Sequence, residues 1–476
     1  MQLNVTEQLA TFASQTGFAD LPHEVIHETK RLLLDILGCA IGSVNLDKGK
    51  VAVEFASKVG GKPEASILGT PHKVASPNAA FANGELMHAL DYCALVPPNH
   101  ITALVTPPAL ALAEARNASG KDLITAVALA HEVASRVGLS LDPMRARKGG
   151  LVEPTWGLGF DQFGAAAGAG KILDLDTTAM TDALGLAGYF APVPSHNKFL
   201  LSPQGGGMAK YGPAGWIAQG GVTTAVLASM GYEGDRSVLD GESGFWSMTA
   251  SKSSDLTRIT GQLGKEWNLL RVMYKKWPCC GVFQSPLGAM TKLIEENDLK
   301  PDEIQSVLIK NEEHGHLPRF RYGEIHHNVD AATNLEYNIA LAAYRVPVSA
   351  AWQSERNLKD PRIHAFMKKV TIEPYARAEE TRHQELVVER RPYIERRPCS
   401  VDVTARGRTF TKTVEHASWL SIDNPAFRAT DDDLANKFRA NASETLNSTK
   451  AAKAIERIMH LENVSKIDEL VSELVP

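Results

Sequence analysis

Apolar positions recur at helical spacing through roughly the first 265 residues and give way to strand-like alternation near residue 270. Residues 23–42 (HEVIHETKRLLLDILGCAIG) are charged early and apolar nearly all round later, the profile of a helix buried at its far end. Residues 76–91 continue with Ala, Met and Leu, all good helix formers. Pro107 and Pro108 are expected to open a helix through ALALAEARNASG, with proline at the start and glycine at the end. Further helices are predicted at 121–138, 162–173 and 177–189, with Ala-rich faces suited to close packing, and at 213–230, from Pro213 to Gly231. Beyond residue 270, strands are predicted at QSVLIKN (305–311), KKVTIEP (368–374) and SVDVTARGRTFTKTVEHA (400–417), the last a hairpin turning near Arg406-Gly407. Helical patterns at 284–297 and 333–345 lie between them, and 430–474 returns to helix. The expected division is a helical domain over 1–268, a smaller α+β domain over 269–420, and a helical tail over 421–476 that rejoins the first domain.

Two stretches carry candidate chemistry. Residues 83–100 (NGELMHALDYCALVPPNH) bring His88, Asp91 and His100 into a short span. His88 and Asp91 stand three apart, so a continuous helix would place them on one face, with Pro97 and Pro98 stopping it and forcing a loop. Two readings stand: a catalytic loop on a rigid helix, or a helix end with solvated polar residues. Residues 202–212 (SPQGGGMAKYG) form a glycine-rich loop feeding the helix at Pro213. That helix start can aim N–H groups and a positive dipole at an anion, with Lys210 adding a full charge; the alternative is a connector with a surface lysine.

In KKWPCCGVFQSP (275–286), Cys280 is either a thiol activated by a helix N-terminus or a buried, inert one. Tyr337, in TNLEYNIALAAY, is either a pocket residue or a core tyrosine with its hydroxyl bonded. The spacing of His314, His316, His326 and His327 does not follow metal-ligand geometry, so no metal site is expected. No P-loop, dinucleotide fingerprint or G-x-S-x-G elbow occurs.

Composition narrows the class further. The 476 residues exceed what one core usually serves, and 44% apolar content is enough for a large interior. Fifty basic against 55 acidic residues, a net charge of −5, argue against nucleic acid or an anionic membrane as the main partner. The five cysteines have no framework spacing and fit a reducing cytoplasm. The segment MQLNVTEQLATF shows neither a basic region nor an apolar core, so no secretory signal is expected. Charges interrupt the longest apolar stretches, so no membrane span is expected either.

Taken together, RLLLDILGCAIGS (31–43), FANGELMHALDY (81–92) with TPPALALAEA (106–115), QFGAAAGAGKILDLD (162–176), the Lys210 loop with GYEGDRSVLDGESGF (231–245), and KKWPCC (275–280) resemble, in order, the motifs of the MmgE/PrpD family. That family includes 2-methylcitrate dehydratase, cis-aconitate decarboxylase and iminodisuccinate epimerase. The resemblance implies a mainly α fold: a large all-helical domain built from both chain ends plus a smaller α+β lid, in a homodimer. It also implies no metal and no organic cofactor, and a small di- or tricarboxylate as substrate.

Residue by residue, the resemblance makes Asp91 the first acid of a D-F-D-D-T pattern, His100 the following histidine, Lys210 the glycine-loop lysine and Tyr337 a pocket tyrosine. Cys280 falls where the decarboxylase branch has a catalytic histidine and where many other members have cysteine. The chain departs from the pattern at Asp91-Tyr92-Cys93-Ala94-Leu95, at Glu153 in place of the histidine of an H-P-T segment, and at Gln284 in place of a histidine. The implied catalytic set is Asp91, His100, Lys210, Tyr337 and Glu153; His88, Cys280, Gln284 and Gly207 would touch substrate.

In that scheme Lys210 and the helix start near Pro213 hold a carboxylate. His100 or Asp91 removes the neighbouring proton, and Tyr337 or Glu153 returns one. A 2-methylcitrate dehydratase-like hydro-lyase is the leading expectation. An epimerase, isomerase or decarboxylase is the alternative, and a fold relative without catalysis the third reading.

Overall fold

The computed structural model describes residues 4–141, 144–146, 152–154, 159–202, 207–249 and 251–476. The mainly α architecture expected from the sequence is found. In chain order the helices are α1 (Val5–Gln15), α2 (His23–Gly42), α3 (Asp47–Val59), α4 (Ser76–Ala89), α5 (Thr102–Arg116), α6 (Gly120–Ser140), α7 (Asp161–Ile172), α8 (Thr177–Phe190), the short α9 (His196–Leu200) and α10 (Ala214–Ser229). Two small antiparallel ribbons interrupt them, β1 (Ala65–Ser66) with β2 (Lys73–Val74), and β3 (Met144–Ala146) with β4 (Val152–Pro154).

Helices α4, α5, α6, α7 and α10 pack against one another as the helical core. Small residues set their spacing: a Cβ on Gly164 of α7 would lie 2.2 Å from the Ala130 carbonyl oxygen of α6, and one on Gly221 of α10 would lie 2.6 Å from the Ala165 Cβ. The backbones therefore approach closer than larger side chains permit, which is what the Ala-rich faces encode. By length and composition α6 is apolar enough to cross a membrane, but 94% of that window is buried inside the protein. It is a core helix.

Two boundaries differ from expectation. Helix α5 starts at Thr102, not at the prolines, and carries Pro107 and Pro108 in its interior. Proline has no N–H, so the Ala103 and Leu104 carbonyls lose their usual donors. The buried first turn, Thr102–Val105, keeps the helix going despite that loss. Helix α4 stops at Ala89, well before Pro97–Pro98. Asp91 has φ of 52° and breaks the helix itself, so His88 and Asp91 do not share a helical face.

The later α+β region holds a four-stranded sheet in the order β6-β5-β7-β8. Strand β5 (Ile304–Asn311) pairs parallel with β6 (Val370–Pro374) and antiparallel with β7 (Cys399–Ala405), which turns into β8 (Arg408–Val414). Arg406 (φ 52°) and Gly407 (φ 69°) make the turn, the double positive φ that a tight two-residue hairpin requires. Helices Gln284–Asn297 and Leu335–Ala343 pack against each other, the first also lying on β7 and β8. The closing helices Asp431–Ala442 and Ser448–Met459 lie along α2, where Gly38 faces the Phe438 backbone at 3.0 Å from its would-be Cβ.

Candidate active site

The site is built where α4 ends, where a loop precedes α10, and where the segment 272–280 crosses between the helical and α+β regions. Asp91 and Lys210 both take left-handed backbone angles, φ 52° and 55°. That conformation is unusual for a lysine, and such outliers concentrate where the surrounding structure fixes a geometry for function. The segment 272–280 is pinned by reciprocal bonds of 2.8 Å between Leu95 and Met273. The Gln284 side chain staples it from the other side, accepting from the Lys276 and Trp277 N–H groups and donating to the Trp277 carbonyl at 3.0 Å. Lys275 is thereby aimed at Asp91.

Three basic groups converge on one carboxylate oxygen. Asp91 Oδ1 lies 3.0 Å from Lys275 Nζ, 3.3 Å from Lys210 Nζ and 3.7 Å from His100 Nε2. Lys275 also donates to the Asp91 carbonyl at 2.7 Å, and Lys210 to the His88 carbonyl at 2.8 Å. Among the described residues, Asp91 Oδ2 and both ring nitrogens of His88 have no hydrogen-bond partner. His100 Nδ1 is 3.6 Å from the Cys93 sulfur, and its ring stacks on Tyr211 at 5.2 Å. The Tyr211 hydroxyl lies 3.7 Å from Cys280 Sγ. Behind this group Lys437, from the closing helix, donates to Asp35 Oδ1 at 2.6 Å, to the Tyr92 carbonyl at 2.8 Å and to the Lys275 carbonyl at 3.1 Å.

Burial sets the protonation states. It opposes charge on Asp91, but the adjacent Lys210 and Lys275 ammonium groups prevail and hold the carboxyl well below its usual range. Burial pulls Lys210 down to about 8 despite the Asp91 charge. Lys275 is also desolvated, but the attraction of Asp91 prevails and raises it. His100 is pushed well below its ordinary value by burial and then by Lys275. His88 is lowered likewise by burial and then by Lys210. Burial raises the Cys280 thiol, which stays protonated. Near neutral pH the centre therefore holds one carboxylate, two ammonium groups and uncharged imidazoles, an excess of one positive charge in a buried site. Asp91 and Lys275 are fully buried, and His100 (8% exposed) and Cys280 (6%) are nearly so.

Of the residues singled out from sequence, Asp91, His100, Lys210, His88 and Cys280 come together here. Tyr337 does not: its hydroxyl donates to the Trp352 carbonyl at 2.6 Å, and burial raises its pKa, so it is a committed core residue. Gln284 shapes the site by holding the backbone of 276–277, and its amide is already used there. Gly207 has φ of 64° with open space around it. Glu153 lies in β4 opposite Arg145, and its side chain falls outside the described residues.

The α10 start is not an open anion site. The Gly215 N–H donates to Glu85 Oε1 at 2.7 Å, and Glu85 pairs with Lys48 at 2.8 Å. The chain's own carboxylate occupies the place expected for substrate, because the helix N-terminus favours any nearby anion. Lys275 and Tyr211 were missed in the sequence. Lys275 stands beside an apolar turn whose cysteines drew the attention, and a lysine in a segment otherwise suited to burial was the available signal.

The model of the MmgE/PrpD N-terminal domain matches residues 7–256, and that of the MmgE/PrpD C-terminal domain matches residues 277–463. A cis-aconitate decarboxylase of Aspergillus terreus is 26% identical over 66% of this chain and 64% of its own length. Cis-aconitate decarboxylases of Homo sapiens and Mus musculus are each 24% identical, covering 100% and 99% of this chain and 95% and 94% of their own. The match thus spans just under two thirds of the fungal relative and nearly all of the mammalian ones.

Proposed function

We infer the function from a premise that the two domain matches establish: the chain belongs to the MmgE/PrpD family. It acts as a lyase on a small di- or tricarboxylate, removing a proton beside a carboxylate and expelling water. The observation that supports this reading is the pair of buried ammonium groups on Asp91 beside an uncharged His100. Two lysines against one carboxylate leave a positive charge that a polyanionic substrate neutralises, and the low-dielectric interior strengthens that attraction.

His100 is the base. Its imidazole is neutral near pH 7, whereas Asp91 is held as a weakly basic carboxylate between two cations. Asp91 fixes the lysines and faces the imidazolium that forms. His100 takes the proton, and the electron pair of the C–H bond moves toward the substrate carboxylate, where Lys275 and Lys210 stabilise the enolate-like oxygen. The pair then forms the carbon–carbon double bond as the carbon–oxygen bond breaks. Lys210, lowered to about 8, gives its proton to the departing hydroxide, which leaves as water.

Decarboxylation is the second reading, favoured by the names of the relatives. In it the bond to a carboxylate breaks, CO2 leaves, and a proton is delivered to carbon. Against it stands Cys280, a protonated thiol at the position where the resemblance puts a histidine in decarboxylases.

Incubation with citrate-class hydroxy acids and with cis-aconitate, following double-bond absorbance and CO2 together, separates the two. Alkene without CO2 supports dehydration, and CO2 release transfers the assignment to decarboxylation. Deuterium exchange into substrate with neither product indicates an epimerase. Absence of turnover, exchange and thermal stabilisation across these acids rejects the reading.

A further inference from the structure

Arg319 lies beyond the aromatic layer that backs His100. Its guanidinium carbon sits 5.0 Å from the Phe199 ring centre. Phe199 packs edge-on against Tyr211 at 5.0 Å, and Tyr211 stacks on His100 at 5.2 Å. The Tyr211 hydroxyl feels the Arg319 charge. Arg319 is 1% exposed. Its Nη2 pairs with Asp330 Oδ1 at 2.7 Å and makes a long bond of 3.4 Å to the Val329 carbonyl, while Nε and Nη1 have no hydrogen-bond partner among the described residues. Buried donors are rarely left idle, and idle donors on a buried cation are groups that a ligand anion can take up.

The surroundings fit an anion. Asp330 is already engaged by the His326 and His327 backbone N–H groups at 3.0 and 3.3 Å. The nearby imidazoles of His196 and His314 are both lowered to about 3 by burial and carry no charge near neutral pH. The His196 ring lies 4.9 Å from Tyr211, and His314 lies 5.8 Å from Phe320. A lysine at position 319 would keep a charge for Asp330 but not the planar fork. The planar fork of arginine, only partly used by Asp330, matches a carboxylate.

We propose that Arg319 is a second carboxylate subsite: its Nε and Nη1 hold the distal carboxylate of a substrate whose reacting end lies at His100, Lys210 and Lys275. The inference rests on the lyase reading and deepens it, making Arg319 a specificity-determining residue that selects polyacids over monoacids.

The test compares a tricarboxylate with the same acid bearing a distal monoamide, using wild type and Arg319→Lys. Wild type is expected to prefer the acid, and Arg319→Lys to raise KM for the acid about 10- to 100-fold, the range of a charge-assisted hydrogen bond, with kcat changed little. In the variant the preference over the amide disappears. Unchanged KM and unchanged preference in folded Arg319→Lys overturn the proposal. Should the variant not fold, wild type decides alone: equal KM for acid and amide overturns it. Calorimetric binding separates the two layers. Tricarboxylate that binds without turnover removes the lyase reading, whereas weakened binding in Arg319→Lys still supports the subsite.

Discussion

Two buried lysine–aspartate centres lie side by side, and only one is complete. At Asp35–Lys437 all three ammonium hydrogens have acceptors, and Asp35 Oδ2 accepts the Ala94 N–H at 3.0 Å. The Lys437 ammonium also lies 3.5 Å from the Tyr92 ring centre. At Asp91 one oxygen serves three basic groups, while among the described residues the other oxygen and both ring nitrogens of His88 beside it have no hydrogen-bond partner. Saturation marks a structural joint and shortfall marks a place where chemistry is done, because a fully satisfied network has no bond to offer a substrate.

The contrast can be broken experimentally. Lys210→Ala is expected to lower kcat/KM by about 10²–10⁴-fold, the usual worth of an acid–base group, with the melting temperature nearly unchanged. Steady-state kinetics beside calorimetry checks it, and wild-type kcat/KM would remove Lys210 from the mechanism. Lys437→Ala should do the reverse. Leaving Asp35 unpaired costs about 3–5 kcal/mol in denaturant unfolding, while the folded fraction keeps kcat within a few fold. An equal loss of kcat in both variants would erase the distinction between the centres.

A smaller effect follows from protonation. Lys210 titrates at about 8, so kcat/KM should fall roughly tenfold per pH unit above that value, and Lys210→Arg should remove the limb. Linkage gives stability the opposite sign. Between about 8 and the ordinary 10.5 the unfolded chain binds more protons at this lysine, so its contribution to stability rises with pH. The melting-temperature difference between wild type and Lys210→Met across that interval reads it. Smallest is Gln284→Ala, which should cost about 1–3 kcal/mol through the freed backbone groups of 276–277 and reduce kcat less than about tenfold.

Local patterns announced themselves in the sequence. The Ala-rich helices, the strand alternation and the Arg406-Gly407 hairpin each depend on neighbours within a few residues. Asp91, His100 and Lys210 were visible because each sits near proline or glycine punctuation. What escaped depends on distant partners. Glu85 stands 130 positions from the Gly215 N–H that it caps, so the occupied helix start had no local signature. Lys275 acquires meaning only across the 184 positions to Asp91. The Pro107–Pro108 pair misled because tertiary burial of Thr102–Val105 outweighs the loss of two helix donors.

Lys437 has a consequence for the order in which the protein is made. Its ammonium ties the Tyr92 and Lys275 carbonyls, one beside each arm of the Asp91 centre, to the aspartate of α2. Lys437 lies 402 positions after Asp35, so this joint can close only once helix Asp431–Ala442 has been made. The last helices of the chain thus supply the tie that fixes the backbone on both sides of the Asp91 centre.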